Sequence, residues 1–309
     1  MTTPGDPTTP RDPEEVSAAG APTVAAIPDA SRMGTVHLSV ADLGRSIDYY
    51  GSAIGLRVHD RDGSRAALGT GGEDLLLLHE DPGARPARGA SGLYHVALLL
   101  PERADLARWL AHAARERVPL VGMSDHYVSE AIYLSDPDEH GIEIYWDRPR
   151  EVWEGQVGER MTTLPLDVGD LLGVLDDPRT EPFDGLASGT TMGHVHLRVA
   201  DVPATAAFYC DTLGFGLMAA FGAQALFMSA GGYHHHLGAN TWESRGAGQP
   251  PSGHATLLRA TIVLPTAADV DRLAHEVEVG GQPPQALPEG GVLVRDPSGN
   301  PVALVAGSA

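Results

Sequence analysis

Val36-His37-Leu38-Ser39-Val40-Ala41-Asp42-Leu43 returns as Val195-His196-Leu197-Arg198-Val199-Ala200-Asp201-Val202, 159 positions further along a 309-residue chain. The register holds through Tyr49-Tyr50 against Phe208-Tyr209 and Ile54-Gly55-Leu56 against Leu213-Gly214-Phe215. A second pair follows: Leu93-Tyr94-His95-Val96-Ala97 against Leu257-Leu258-Arg259-Ala260-Thr261, and later Asp136-Pro137 against Asp296-Pro297. Each of the four copies reads as strand, helix, then strands. Thr35–Val40 alternates apolar and polar residues as a half-buried strand does. Asp42 offers an N-cap to a helix whose Leu43, Ile47 and Tyr50 share one face. Arg65–Leu68 and Leu75–His79 are strands across the turn Gly69-Thr70-Gly71-Gly72.

In copy two the strand Leu93–Leu100 precedes a helix over Ala104–Arg115 and strands over Ala131–Leu134 and Ile142–Trp146. Copies three and four repeat the plan at about 192–240 and 257–306, and the connector holds one amphipathic stretch, Val168–Leu175. A βαβββ unit exposes an apolar sheet face that it cannot bury alone. The expectation is therefore an α+β protein of four βαβββ modules, paired into two cupped, incomplete barrels, each enclosing a cavity. Along the chain the divisions are a disordered tail (1–31), a first domain of modules one and two (32–148), a connector (149–189) and a second domain of modules three and four (190–309).

With 21 basic against 41 acidic residues, a balance of −20, the chain lacks the basic face that nucleic acid requires. Its N-terminus has neither a basic leader nor a long apolar run, which points to a cytoplasmic protein with no membrane partner. Cys210, the single cysteine, excludes an intramolecular disulfide.

The copies differ where chemistry would lie. Copy two has His95 and Glu143 where copy four has Arg259 and Ala303. His37, His95 and His196 each occupy the first strand of a unit, and Glu143 lies within the apolar run Gly141-Ile142-Glu143-Ile144-Tyr145-Trp146. A carboxylate buried there needs a partner. Two histidines and one carboxylate on one face of an octahedral ion leave positions open for substrate and dioxygen, the arrangement used by non-haem ferrous iron.

These motifs, with Asp125-His126-Tyr127-Val128-Ser129-Glu130-Ala131, Tyr133-Leu134-Ser135-Asp136-Pro137, Met192-Gly193-His194-Val195-His196 and Gly231-Gly232-Tyr233-His234-His235-His236-Leu237-Gly238-Ala239-Asn240-Thr241-Trp242, resemble the vicinal oxygen chelate superfamily. Beyond the tail, the chain is most similar to its bacterial catechol 2,3-dioxygenase-like group. The resemblance implies extradiol cleavage of a catechol-type aromatic diol by dioxygen, at Fe(II) or Mn(II) held by two histidines and a glutamate. It also implies a tyrosine ten residues before that glutamate, which is Tyr133 here, hydrogen-bonded to substrate. An acid–base histidine is implied too, drawn from His234 and His236, which strand alternation would put on one face. His126 is a further donor near the substrate, and a homodimer suits the family. If modules two and three pair, the metal set is His95, Glu143 and His196; if one and two pair, His37 replaces His196. The first pairing accounts for more residues, and module four then joins module one as a supporting half without a metal site. The alternatives are a glyoxalase-like isomerase, whose sites typically use two glutamates, and a metal-free protein that binds a small molecule or antibiotic. The turn Asp136-Pro137-Asp138-Glu139-His140, where the family favours Gly-Asn after Asp-Pro-x, is expected to shift its loop.

Overall fold

A computed structural model describes residues 16–17 and 25–307. Most of the expected tail lies outside the described residues; its last part does not, and Ile27 is buried with its amide donating to Gly214 O at 2.9 Å. Module one comprises β1 (Val36–Val40), α1 (Leu43–Tyr49), β2 (Arg57–Asp62), β3 (Arg65–Gly69) and β4 (Asp74–Glu80). Module two comprises β5 (Gly92–Leu99), α2 (Arg103–Glu116), β6 (Gly122–Asp125), β7 (Ser129–Ser135) and β8 (Gly141–Asp147). Module three follows with β9 (Thr191–Arg198), α3 (Val202–Ala206), β10 (Gly216–Phe221), β11 (Ala225–Ser229) and β12 (Leu237–Asn240). Module four has β13 (Leu257–Leu264), α4 (Ala267–Val279), β14 (Gln285–Ala286), β15 (Val292–Arg295) and β16 (Pro301–Ala306).

The modules pair two with three and one with four. One sheet runs β10-β11-β12-β9-β5-β8-β7-β6 and the other β14-β15-β16-β13-β1-β4-β3-β2. In each, first strands meet antiparallel at the centre, β5 on β9 and β13 on β1. Each sheet therefore takes one module from each half of the chain. Asp42 and Asp201 cap their helices, accepting from the amides of Arg45 and Ala204. Both helices continue into a π-turn, Tyr50–Ile54 and Ala207–Thr212. These turns set Tyr50 Oη 3.1 Å from Asp136 Oδ2 and Tyr209 Oη 3.4 Å from Asp296 Oδ2, so the same buried link joins one sheet to the other twice. Trp109 fills the core between α2 and module one, its indole donating to Ile54 O at 3.2 Å.

Two strands lack a sequence signature. β2 is exposed along its whole length and β6 is nowhere buried, so neither carries the alternation that marks a half-buried strand. The connector helix ends at Leu172 rather than Leu175, with Gly173 at its C-cap.

The turn before Glu143 does not shift. Asp136 Oδ1 accepts from the amides of Asp138 and His140 at 2.8 Å each, and Asp296 Oδ1 accepts from Ser298 and Asn300 at the same distances. Glu139 adopts the left-handed conformation (φ 66°) that Gly299 holds in the other copy (φ 84°), and a bidentate pair with Arg88 holds its carboxylate. His140 Nε2 donates to Ser39 O, where Asn300 Nδ2 donates to Arg198 O. No described helix is long and apolar enough to cross a membrane.

Candidate metal centre

Sheet register builds the site. Glu143 on β8 lies opposite Ala97 on β5, and Ala97 opposite His194 on β9. Directly opposed residues share a sheet face, so a carboxylate and an imidazole flank the methyl of Ala97. His95, two residues from Ala97 on the same strand, points to the same face. His95 Nε2 and His194 Nε2 each stand 3.0 Å from Glu143 Oε2 and 3.3 Å from each other. All three residues are buried, Glu143 to 2 % exposure, and they form one cluster able to hold an ion.

The spacing suits a metal better than it suits protons. If both Nε2 atoms carry protons, both donate to Glu143 Oε2 and the two nitrogens, 3.3 Å apart, have no bond between them; if either lacks its proton, a lone pair faces the carboxylate. His194 Nδ1 is also buried without a hydrogen-bond partner. Ligand atoms on adjacent corners of an octahedron, about 2.2 Å from the ion, lie about 3.1 Å apart. The cluster matches that edge length and is consistent with a divalent cation. Burial works to raise the Glu143 carboxyl, but the imidazoles of His194 and His95 bring it well below the usual carboxylate range.

The second histidine of the cluster is thus His194, not the expected His196. His196 Nε2 accepts from Asn240 Nδ2 at 3.0 Å, and its ring packs against the bare Cα of Gly238. The readable signal was the dipeptide His-Val, His95-Val96 against His194-Val195, which aligns the two ligand positions directly. The longer match between modules one and three aligns His37 with His196 instead. His37 belongs to the other sheet, where its Nδ1 meets His79 Nε2 at 3.1 Å and its Nε2 accepts from Arg259 at 3.0 Å.

A cavity of about 220 Å³ opens above the cluster, lined by His95, Glu143, Tyr133, His126, His235 and, on its apolar wall, Phe227. Tyr133 and Glu143 are cross-strand partners. Burial and then the Glu143 charge hold the Tyr133 hydroxyl well above the usual phenol range, so it stays protonated. His126 Nδ1 donates to Thr162 O at 2.7 Å, which leaves Nε2 to accept from Tyr133 Oη, also at 2.7 Å.

His234 and His236 are not at the cavity; His235 is. Residues 231–236 are turn and loop, with β12 beginning only at Leu237, so strand alternation does not govern them. His234 Nε2 donates to Asp147 Oδ1 and its Nδ1 accepts from His235 Nδ1, both at 2.8 Å. The Asp147 bond fixes these tautomers and leaves His235 Nε2 with a lone pair. His236 Nδ1 accepts from the Ala230 amide at 3.2 Å. Burial, then the neighbouring imidazoles, keep His235 well below the usual histidine range, and its ring lies against His194, tilted by 45° with centroids 4.0 Å apart.

The model of the glyoxalase/bleomycin resistance protein/dioxygenase superfamily matches residues 32–144 and 191–304. The chain belongs to that superfamily. It is 39 % identical to a catechol-2,3-dioxygenase of Bacillus subtilis (strain 168) over 273 residues, covering 86 % of this chain and 94 % of that protein. A putative dioxygenase from Bacillus subtilis subsp. subtilis str. 168 superposes with a TM-score of 0.63 at 15 % identity, over 91 % of this chain and 86 % of its own. Glyoxalase I from Zea mays gives 0.54 at 18 % identity, over 90 % and 92 %. At these identities the solved structures speak to the fold alone. Within the superfamily fold, the second cup has Arg259 and Ala303 at the positions of His95 and Glu143, and no metal-binding cluster forms there among the described residues.

Proposed function

We propose that the chain is an extradiol ring-cleaving dioxygenase acting on a catechol-type aromatic diol with ferrous iron and dioxygen, Mn(II) being the alternative ion. One observation carries this reading: two imidazoles and one carboxylate present three donor atoms on a single face, at the floor of an aromatic-walled cavity holding a bare imidazole and a protonated tyrosine. Similarity to a catechol-2,3-dioxygenase along most of the chain supports it. His95, Glu143 and His194 would hold the ion, leaving the opposite face for a diol and dioxygen. When bound, the ion lowers the pKa of a coordinated hydroxyl and brings diol and dioxygen together.

The chain's own groups move the protons. His235 Nε2, neutral and unprotonated, accepts the proton of a diol hydroxyl and holds it for return to the cleaved product. His234, bonded to Asp147, keeps the donor side of the His235 ring turned away from the cavity. Tyr133 donates its hydroxyl hydrogen to a diol oxygen in exchange for His126 Nε2, and remains neutral in doing so. Phe221, Phe227, Met161 and Trp242 line the remaining wall and exclude water from the charged diolate. A single carboxylate in the cluster sets this site apart from an isomerase site with two glutamates.

The experiment is anaerobic reconstitution with Fe(II), followed by a panel of substituted catechols with oxygen uptake and the yellow ring-fission chromophore as readouts. Stoichiometric oxygen uptake with chromophore supports the reading. Iron bound at the cluster with no uptake on any catechol, alongside turnover of a thiol hemiacetal by the Ni(II) form, would overturn it in favour of an isomerase.

A further inference from the structure

The cup of modules one and four holds a cavity of about 640 Å³, lined by Thr35, His37, Arg259, Thr261, Val305 and Glu289. Arg259 is a half-buried cation of this cup, its side chain 17 % exposed, and it pairs at 2.6 Å with Glu289, whose side chain is 50 % exposed. The remaining acids are engaged elsewhere: Glu73 with Arg32 through two bonds, and Asp74 with His59 at 2.7 Å. Arg32 is thereby neutralised at the rim. Burial and then the Arg259 charge lower His37 to about 3, so it stays neutral and serves as an acceptor for Arg259.

Arg259 is paired incompletely. Nη2 serves both His37, at 3.0 Å, and Glu289, while the adjacent Nε is buried without a partner. Elsewhere in the chain Arg103 engages Glu130 through Nε and Nη2 together, the fork–fork geometry that a guanidinium favours. Glu289 meets only one prong. It sits in Pro288-Glu289-Gly290-Gly291, a turn closed by Gly290 N–H to Leu287 O and Leu287 N–H to Gly291 O, both at 3.0 Å, so displacement asks only the half-exposed Glu289 side chain to rotate. The Glu289 carboxylate occupies the place of an external one, in a cup too large for it to fill.

We propose that this second cup binds a small organic monocarboxylate, with Arg259 as its anchor and Glu289 as an intramolecular stand-in that the ligand displaces. Thr261, two residues along β13 on the same face, stands beside the anchor, and Val263 and Val305 offer an apolar wall for the rest of an aliphatic or aromatic acid. This inference does not depend on the reaction at the other cup.

Benzoate, with neutral benzamide as control, tests it by titration calorimetry on the metal-loaded full-length chain. Glu289→Gln removes the tethered competitor at an exposed position. It should tighten benzoate binding by about tenfold or more, since a tethered group competes at an effective concentration in the millimolar range. Benzamide should not bind. Arg259→Lys keeps the charge but loses the fork and should abolish the gain, with the metal content of the other cup reporting that the chain is folded. Equal benzoate affinity in wild type, Glu289→Gln and Arg259→Lys would place binding elsewhere and overturn the proposal. So would a Glu289→Gln protein that binds benzamide as well as benzoate, or binds neither.

Discussion

Replacing His194 by Ala should empty the metal centre, and replacing His196 by Ala should not. The three donor atoms lie 3.0, 3.0 and 3.3 Å apart, so each takes about a third of the protein's share of an octahedral shell. Apparent metal affinities of roughly 10–16 kcal/mol over four ligands put one ligand at about 3 kcal/mol. His194→Ala should therefore weaken binding by about 10²-fold or more. His196 cannot take its place, because its Nε2 is committed to Asn240. His196→Ala removes a ring of the cavity wall that packs beside His95, with centroids 5.0 Å apart, and whose Nε2 bonds Asn240 instead; its loss should cost less than the roughly 10–100-fold of an outer partner hydrogen-bonded to a ligand. The assay is anaerobic competition of Fe(II) or Mn(II) between the protein and a chromophoric chelator, with circular dichroism confirming the fold. Loss of metal in His196→Ala with retention in His194→Ala would refute the register argument and restore the first-strand alignment of modules one and three.

His235→Phe should keep its metal yet lower kcat by about 10²–10⁴, the usual contribution of general acid–base catalysis, whereas His236→Gln stays within severalfold; the reverse order in single-turnover kinetics would return the role to His236. Tyr133→Phe should lower kcat by about tenfold or more and leave metal content unchanged, since the hydroxyl meets His126 and the cavity rather than the ion. His37 provides a pH test in the other cup: burial and Arg259 bring it to about 3, below its unfolded value of about 6.5. A lowered folded pKa contributes stability that is present above pH 6.5 and is lost as pH falls towards 3. The slope reaches about 1.4 kcal/mol per pH unit from this group, so guanidinium midpoints of His37→Gln should fall less steeply than wild type between pH 6.5 and 4; parallel curves would show that His37 is not the group titrating. Glu139→Gly should relieve about 1–2 kcal/mol of left-handed strain, offset by under about 1 kcal/mol from the exposed Arg88 pair, for a small net rise in Tm.

The sequence disclosed what repetition could disclose. Four copies of one unit imply four exposed apolar faces, and the loss of His95 and Glu143 equivalents at Arg259 and Ala303 implies one working cup. Repetition did not disclose register. A one-residue choice of strand alignment decides which side chains meet across a central pair, and His37 and His196 repeat conspicuously while His194 has only Thr35 as its counterpart. The histidine run misled for a related reason. Alternation predicts facing only inside a strand, and Gly231-Gly232, both at positive φ, delay β12 until Leu237. The bond from His234 to Asp147 then decides which of three adjacent imidazoles faces the ligand. Strands β2, at a sheet edge, and β6, flanked on its outer side only by Leu164–Pro165, left no trace because a strand with neither face buried selects no pattern. What reads clearly in this chain is what burial enforces. The site's last details are set by hydrogen bonds between residues far apart in sequence: Asp147 with His234, Asn240 with His196, Thr162 with His126. No local pattern encodes those pairings, and each one fixes which nitrogen of its ring carries the proton.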